Sequence, residues 1–252
     1  MKLVLLGTGG YFPTSQRHTA CFMLPEIGVV LDAGSGMCRI GEYVQTERLD
    51  IFLTHAHLDH VAGLTYLVNV VSSKLLEGTT VHGEASKLAA VREHLFAEPI
   101  FPVAPPFRFA PLTGSYPLPS GGALTYFPLK HPGGSLGFRL DWPGRGGGPP
   151  GSLAYVTDTT AAADADYLEH IRGVDLLLHE AYFEDERDDL PAITGHSALP
   201  RVAEVAAAAG VGRLVLVHID PLMRDDQAFD LSAARRIFQR IELGTDRMEL
   251  EF

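Results

Sequence analysis

The densest chemistry in this chain lies in six consecutive residues. His55-Ala56-His57-Leu58-Asp59-His60 places three imidazoles and a carboxylate together, after Thr54 and the apolar run Ile51-Phe52-Leu53. An apolar stretch follows, so the six fall in a turn between a strand and a helix, where the backbone can point several side chains inward. Imidazole nitrogen and carboxylate oxygen are the donors that Zn²⁺ and similar divalent ions take. A solvated polar turn with accidental histidines is the alternative, and the strand-to-helix setting argues against it.

More donors recur in one kind of place. His131 follows the apolar run 123–129, Asp158 follows 153–156, and His218 follows 214–217. Each stands just past the end of an expected strand, and strand ends of that kind can meet on one rim of a sheet. One such residue would be an ordinary polar cap; three, beside His55, His57, Asp59 and His60, read as one site.

The elements that must position these residues follow from apolar patterning. Strands are expected at 2–6, 22–24, 29–31, 51–53, 80–82, 123–129, 135–140, 153–156, 174–178 and 214–217. Helices are expected at 61–76, 85–96, 167–171, 199–209 (closed by Gly210) and 232–241. Residues 99–120 are Pro-rich and read as irregular, with one strand at most, and the Gly/Pro segment 143–151 reads as a loop. Hairpins early and helices between later strands predict two mixed sheets packed face to face with helices outside, an αββα sandwich. No linker or repeat divides residues 1–252, which read as one domain.

Composition sets outer limits. The chain has 252 residues, 46% hydrophobic and 20% charged, which excludes disorder, collagen and coiled coil as the main description. Lys and Arg number 20 against 31 Asp and Glu, a formal charge of −11, a poor match to a long polyanion. Cys21 and Cys38 form no disulfide framework and read as two buried thiols. The N-terminal apolar run is too short for a signal peptide, and no stretch reaches the ~20 residues of a membrane span. A cytoplasmic location is expected.

With these residues in view, the array resembles the metallo-β-lactamase superfamily, and within it the ribonuclease Z branch. Leu6-Gly7-Thr8 with Phe12-Pro13-Thr14 is similar to that branch's first strand and loop, and Asp32-Ala33-Gly34 to its second motif. Val156-Thr157-Asp158-Thr159, His179-Glu180-Ala181, Gly195-His196-Ser197, Ala209-Gly210-Val211-Gly212 and Val217-His218 follow it in type and order. Only about 85–120 and 140–152 fall outside the resemblance.

The resemblance implies a metallo-β-lactamase-like fold and two divalent ions, Zn²⁺ first, with Mn²⁺ or Fe²⁺ as substitutes. It implies that His55, His57 and His131 hold one ion, Asp59, His60 and His218 the other, and that Asp158 and a water bridge them. Two ions ~3.5–4 Å apart lower the pKa of that water and stabilise the attacking and leaving oxygens. Two divalent cations, two carboxylates and one hydroxide leave a local positive surplus, which suits an anionic ester. His196 would be the general acid, oriented by Glu180, with Asp59 also counted among the catalytic residues. His179 reads as a supporting residue, and His18, His82, His94 and His170 as surface histidines. Gly7-Thr8-Gly9-Gly10 lacks the Lys-Ser/Thr of a phosphate loop and reads as a turn that brings backbone to the metal rim. A homodimer is implied by the resemblance alone.

The chain departs from the branch in three places. Its transfer-RNA-processing members carry a long arm between the positions matching His131 and Asp158; here that interval holds no room for one. Ser152-Leu153-Ala154 replaces Lys-Ala-Leu, and Ala198 stands where Thr or Ser usually follows His-Ser. The leading expectation is therefore a phosphodiesterase acting on a small or nucleotide-like diester, in a pocket built from the segment carrying Phe101, Phe107 and Phe109. Other expectations are hydrolysis of a thioester, lactone or sulfate ester, 3′ processing of transfer RNA, and a non-catalytic metal-binding protein.

Overall fold

The continuous apolar run within Lys2–Gly7 (β1), buried from Leu3 onward, begins a sheet, described here from a computed structural model covering residues 1–72, 76–119, 121–144, 149–185, 190–223 and 229–252. Contacts group the chain into two compact units, Met1–Thr113 with Thr245–Glu251, and Gly114–Gly244 with Phe252.

In the first unit, β1 is followed by β2 (Cys21–Leu24), β3 (Val29–Leu31), β4 (Arg48–Phe52), β5 (Gly78–Gly83) and β6 (Arg108–Pro111). β1, β2 and β3 pair antiparallel, and β3 to β6 run parallel, so the sheet is mixed. Val4, Leu6, Met23, Val30, Ile51 and Val81 pack with residues of the helical segments α1 (Ile40–Tyr43), α2 (Leu58–Val61), α3 (Leu67–Ser72) and α4 (Ala85–Ala90) and of the turns between them. Leu3, Leu5, Phe22, Leu24, Leu31 and Phe52 point the other way and are also buried. Each such side chain contributes about 1.5–3 kcal/mol when removed from water.

The expected helix at 61–76 is broken. α2 gives way to a 3₁₀ turn at Ala62–Tyr66 before α3, and 73–75 lie outside the described residues. The cause is a close approach to a distant part of the chain: Gly63 lies against the Gly34 carbonyl, 2.1 Å from where a Cβ would sit, and its N–H donates to Ala33 O at 2.8 Å. The expected helix at 85–96 ends in a π-helical turn, Val91–Leu95. Phe96, Phe101, Phe107 and Phe109 then pack edge-to-face in a chain, with centroids 5.2–5.5 Å apart. The three rings expected to line a substrate pocket thus belong to one aromatic cluster with Phe96.

The second unit runs β7 (Tyr116–Pro117), β8 (Ala123–Leu129), β9 (Ser135–Trp142), β10 (Gly151–Val156), β11 (Leu176–Glu180), β12 (Arg213–Val217) and β13 (Ile241–Leu243), in that spatial order. β8, β9 and β10 alternate in direction, and β10 to β13 are parallel, so β8, β10, β11 and β12 end on the same rim. Residues 143–150 alone connect β9 to β10; 145–148 of this loop lie outside the described residues.

Helices α5 (Leu168–Ile171), α6 (Leu190–Thr194), α7 (Leu199–Ala209) and α8 (Ser232–Ile237) belong to this unit. Val202, Ala203, Val205 and Ala206 of α7 pack with Leu177, Leu214 and Leu216 of the sheet, the alanines permitting close approach. Gly210 ends α7 at φ +62°, the left-handed position that glycine takes without a steric penalty. The chain then enters the first unit again as β14 (Glu249–Glu251), antiparallel to β1.

Two mixed sheets flanked by helices are thus found as expected. The misplacements lie at the edges. β11 continues through His179 and Glu180, beyond the expected 174–178, and the last helix stops at Ile237. β13 and β14 escape patterning because each has three residues and one fully buried side chain, Ile241 or Leu250. Cys21 is buried as expected, but Cys38 is exposed. His82 is not a surface residue: it is buried, stacks on Phe52 at 4.7 Å, and donates from Nε2 to Asp50 at 2.8 Å.

Candidate metal centre

In the first unit, parallel β3 and β4 end side by side, and both endings carry chemistry. Asp32 follows β3 at φ +58°, a left-handed conformation rare outside glycine. Its buried carboxylate accepts from Thr54 N at 2.8 Å, from the Thr54 hydroxyl, and from His60 Nδ1 at 2.7 Å. The Thr54 hydroxyl has one proton and gives it to Asp32, so it accepts from His55 Nδ1, 3.0 Å away. Both histidines are therefore held by Nδ1, which leaves Nε2 as the lone-pair donor. Metal-binding histidines are oriented in this way by a second partner.

The rings cluster as the motif predicts. The His55 centroid lies 4.5 Å from that of His57 and 4.2 Å from that of His60. Asp59 Oδ2 lies 3.4 Å from His60 Nε2 and accepts from Tyr11 N at 2.8 Å. The glycine turn after β1 thus does bring backbone to this rim. Asp246 anchors the base of that turn, accepting from Thr8 N and Oγ1, His18 N and Arg39.

In the second unit the donors come from separate strand ends. His131 follows β8, Asp158 follows β10 at φ +45°, and His218 follows β12 at φ +54°. Asp158 is buried; its Oδ2 lies 3.6 Å from His131 Nε2 and its Oδ1 3.4 Å from His218 Nε2. One oxygen faces each imidazole, the disposition a bridging carboxylate needs. His131 Nδ1 donates to Gly195 O at 3.0 Å, again leaving Nε2. Gly195 has φ +73°, and a Cβ there would stand 2.6 Å from Pro132 Cδ and 2.9 Å from His131 Nδ1, so this close approach requires glycine.

The spacing tests whether these residues fit a metal. Separations of 3.4–3.6 Å between Nε2 and carboxylate oxygen occur three times and exceed ordinary charge-assisted hydrogen bonds. Two atoms each about 2.0–2.1 Å from one tetrahedral ion stand roughly 3.3–3.4 Å apart. The donor pairs in each unit thus have the atom types and the spacing of two ligands on one divalent ion.

Two further residues lie beside Asp158 and His218. His196 Nδ1 lies 3.3 Å from the buried Glu180 carboxylate, which also accepts from Thr159 N at 2.7 Å. Asp158, His196 and His218 each offer one ligand atom within 4.8 Å of the others. His179 is a support: it donates from Nδ1 to Glu180 O at 2.7 Å and meets Tyr167 Oη at 2.9 Å. Burial pushes its pKa below the ordinary 6.5, more than the Glu180 carbonyl raises it. Ser197 ties the two loops together, donating to Thr159 O and accepting from Ala161 N; the N-cap of α7 is Ala198.

Patterning gave no roles to Asp32, Thr54, Gly195 and Tyr182. Asp32 and Gly195 stood inside motifs whose residue types were visible, but their work is to hold the Nδ1 of His60 and of His131. Tyr182 stacks on His196, centroids 4.8 Å apart, and had no signal beyond adjacency to His179-Glu180-Ala181.

Comparison with known proteins decides the family. Residues 29–219 match the model of the beta-lactamase superfamily domain. The chain belongs to that superfamily. It is ribonuclease Z-like in sequence: ribonuclease Z of Methanosarcina acetivorans is 26% identical over an alignment covering 100% of this chain and 98% of the relative. That alignment spans 313 residues against 252 here, so about 60 positions of the relative have no counterpart. Among solved structures, the metallo-β-lactamase fold protein YhfI from Bacillus subtilis superposes with a TM-score of 0.81 at 18% identity, covering 99% of both chains. A diphosphatase of the PhnP family superposes with a TM-score of 0.73 at 21% identity, covering 100% of this chain and 96% of its own. Among the described residues, no helix is long and apolar enough to cross a membrane.

Proposed function

We propose that this superfamily member is a dinuclear metal-dependent phosphodiesterase acting on small or nucleotide-like diesters. His55, His57 and His131 would hold one divalent ion and Asp59, His60 and His218 a second, with Asp158 shared. Zn²⁺ suits these donors best, and Mn²⁺ or Fe²⁺ would also be accepted. Once bound, such ions supply a water that is nucleophilic at neutral pH and positive charge for the phosphoryl oxygens.

The observation that carries the reading is the His196–Glu180 pair beside Asp158. A diester that loses an alkoxide needs a proton delivered to the departing oxygen. Glu180 holds His196 by Nδ1 and leaves Nε2 to carry that proton. Thr159 N, donating to Glu180, fixes the carboxylate relative to the loop that bears Asp158. Esters with acidic leaving groups, such as thioesters, have less use for this pair. Ribonuclease Z among the relatives and a diphosphatase among the structural neighbours support phosphate esters as the class.

Small substrates are favoured over transfer RNA by three features. The chain carries −11, the β9–β10 connection is eight residues long, and about 60 positions of the ribonuclease Z relative are missing. Affinity for a large polyanion comes mainly from cationic contacts far from the scissile bond. Two unbridged thiols, Cys21 and Cys38, suit the reducing cytoplasm, where we place the protein.

A panel assay with Zn²⁺ or Mn²⁺ tests the reading, using bis(p-nitrophenyl) phosphate, a dinucleoside monophosphate, a thioester, a lactone and a precursor transfer RNA. The diesters should be cleaved with kcat/KM at least equal to that for the RNA. Preference for the thioester or lactone would refute the phosphodiesterase assignment. Efficient, site-specific release of a 3′ trailer would restore RNA processing.

A further inference from the structure

We propose that Tyr182 is a positioning residue for the general acid: stacked face to face on His196, it fixes the plane of the imidazole that Glu180 fixes by its edge. The inference rests on the phosphodiesterase reading, in which His196 protonates the leaving oxygen.

The chain path produces this arrangement. Past β11, residues 181–183 run extended beside 196–198. Tyr182 N and Phe183 N donate to Ser197 O at 3.0 and 3.1 Å, and Leu199 N donates to Phe183 O at 2.9 Å. Phe183 and Ala198 form a parallel bridge. On the other side, Ala181 N donates to Val217 O at 3.1 Å, at the end of the strand that delivers His218. In an extended segment, residues two apart share a face. Glu180 and Tyr182 are such a pair, and both meet His196.

Their contacts divide the imidazole between them. The Glu180 carboxylate lies 3.3 Å from Nδ1, in reach of one atom on the ring edge. A hydrogen bond to one atom leaves the ring able to swing about that contact. The Tyr182 ring lies 4.8 Å from His196, only 18° from parallel, and 6.0 Å from His218. His196 also sits 5.2 Å from His218 and from His131. The imidazole is thus held by an edge contact, a stacked face and flanking rings, and Nε2 keeps one direction. Stacking needs the aromatic ring and not the phenol oxygen, which separates this role from a hydrogen-bonding one.

Kinetics and NMR test it together. Tyr182→Ala should lower kcat on a dinucleoside monophosphate by about 3- to 10-fold, the scale of one stacked aromatic contact, with KM unchanged. The loss should be smaller on bis(p-nitrophenyl) phosphate, whose leaving group needs less protonation. Tyr182→Phe should restore both rates. In the metal-free protein, the His196 ring protons should show an upfield ring-current shift in wild type and Tyr182→Phe that is absent in Tyr182→Ala. Wild-type rates for Tyr182→Ala on both substrates would overturn the proposal. So would a Phe variant as impaired as the Ala variant, or equal losses on both diesters. Failure of the wild-type enzyme on both diesters would instead overturn the phosphodiesterase reading, and the proposal with it.

Discussion

The two units present their candidate metal donors in opposite ways. In the first, four candidate donors come from one six-residue stretch that follows β4 and runs into α2, and a single buried carboxylate, Asp32, organises it through His60 and Thr54. In the second, His131, Asp158 and His218 come from three strand ends spread over 88 positions of chain; the Gly195 carbonyl holds His131, and the Thr157 hydroxyl donates to Asp158 at 2.6 Å. A contiguous motif is cheap to specify and depends on one organiser. A dispersed set depends on the register of a whole sheet; Asp158 and His218 adopt left-handed backbone there, as Asp32 does in the first unit. Such conformations cost on the order of 1–3 kcal/mol and persist where surrounding structure enforces them.

The largest expected effect separates the donor proposed as shared from the rest. Asp158→Ala should abolish binding of both ions and diester hydrolysis, because one carboxylate oxygen faces each of two imidazoles. Retention of one full equivalent by elemental analysis would mean that Asp158 serves a single ion. Next, His196→Ala should leave metal content intact and lower kcat by about 10²- to 10⁴-fold, the usual scale for a general acid. That loss should shrink with p-nitrophenolate as leaving group; an equal loss for alkyl and nitrophenyl diesters would make His196 a substrate-positioning residue.

A third change sharpens the contrast between one organiser and many. Asp32→Asn should weaken one of the two ions by about 10- to 100-fold, the cost of losing a partner behind a metal-binding histidine. Calorimetric titration of Zn²⁺ should then resolve one weakened and one near-normal site. Equal weakening of both would show that the relay from Asp32 through Thr54 to His55 matters as much as its direct contact with His60.

The smallest effect concerns His179, which is buried as the neutral imidazole. The unfolded chain takes up a proton near pH 6.5 while the folded state resists it to lower pH, so stability is full above about 6.5 and falls as pH drops below it. In metal-free protein, urea unfolding at about pH 8 and about pH 5.5 should show a shallower acid loss for His179→Phe than for wild type. An unchanged slope would remove His179 from the acid sensitivity.

The same contrast explains what could be read in the sequence. The first unit's donors were legible because four of them crowd one turn, a density that few structural roles require. The second unit's were legible only as residues after apolar runs, and β8, β10 and β12 do end on one rim as that rule demands. Tyr182 and the role of Gly195 were not legible, because stacking and a missing Cβ are properties of two segments laid side by side. Edge strands β13 and β14 were hidden by their length. The break at Gly63 was hidden because its cause, the Gly34 carbonyl, is 29 residues away.

The central claim is that one chain holds two ions and needs both to cleave a phosphodiester. Stripping the protein with chelator and titrating Zn²⁺ or Mn²⁺ back, while following hydrolysis of bis(p-nitrophenyl) phosphate, tests this directly. Activity should rise to a plateau at two equivalents per chain. A plateau at one equivalent, or hydrolysis undiminished in the stripped protein, would contradict it.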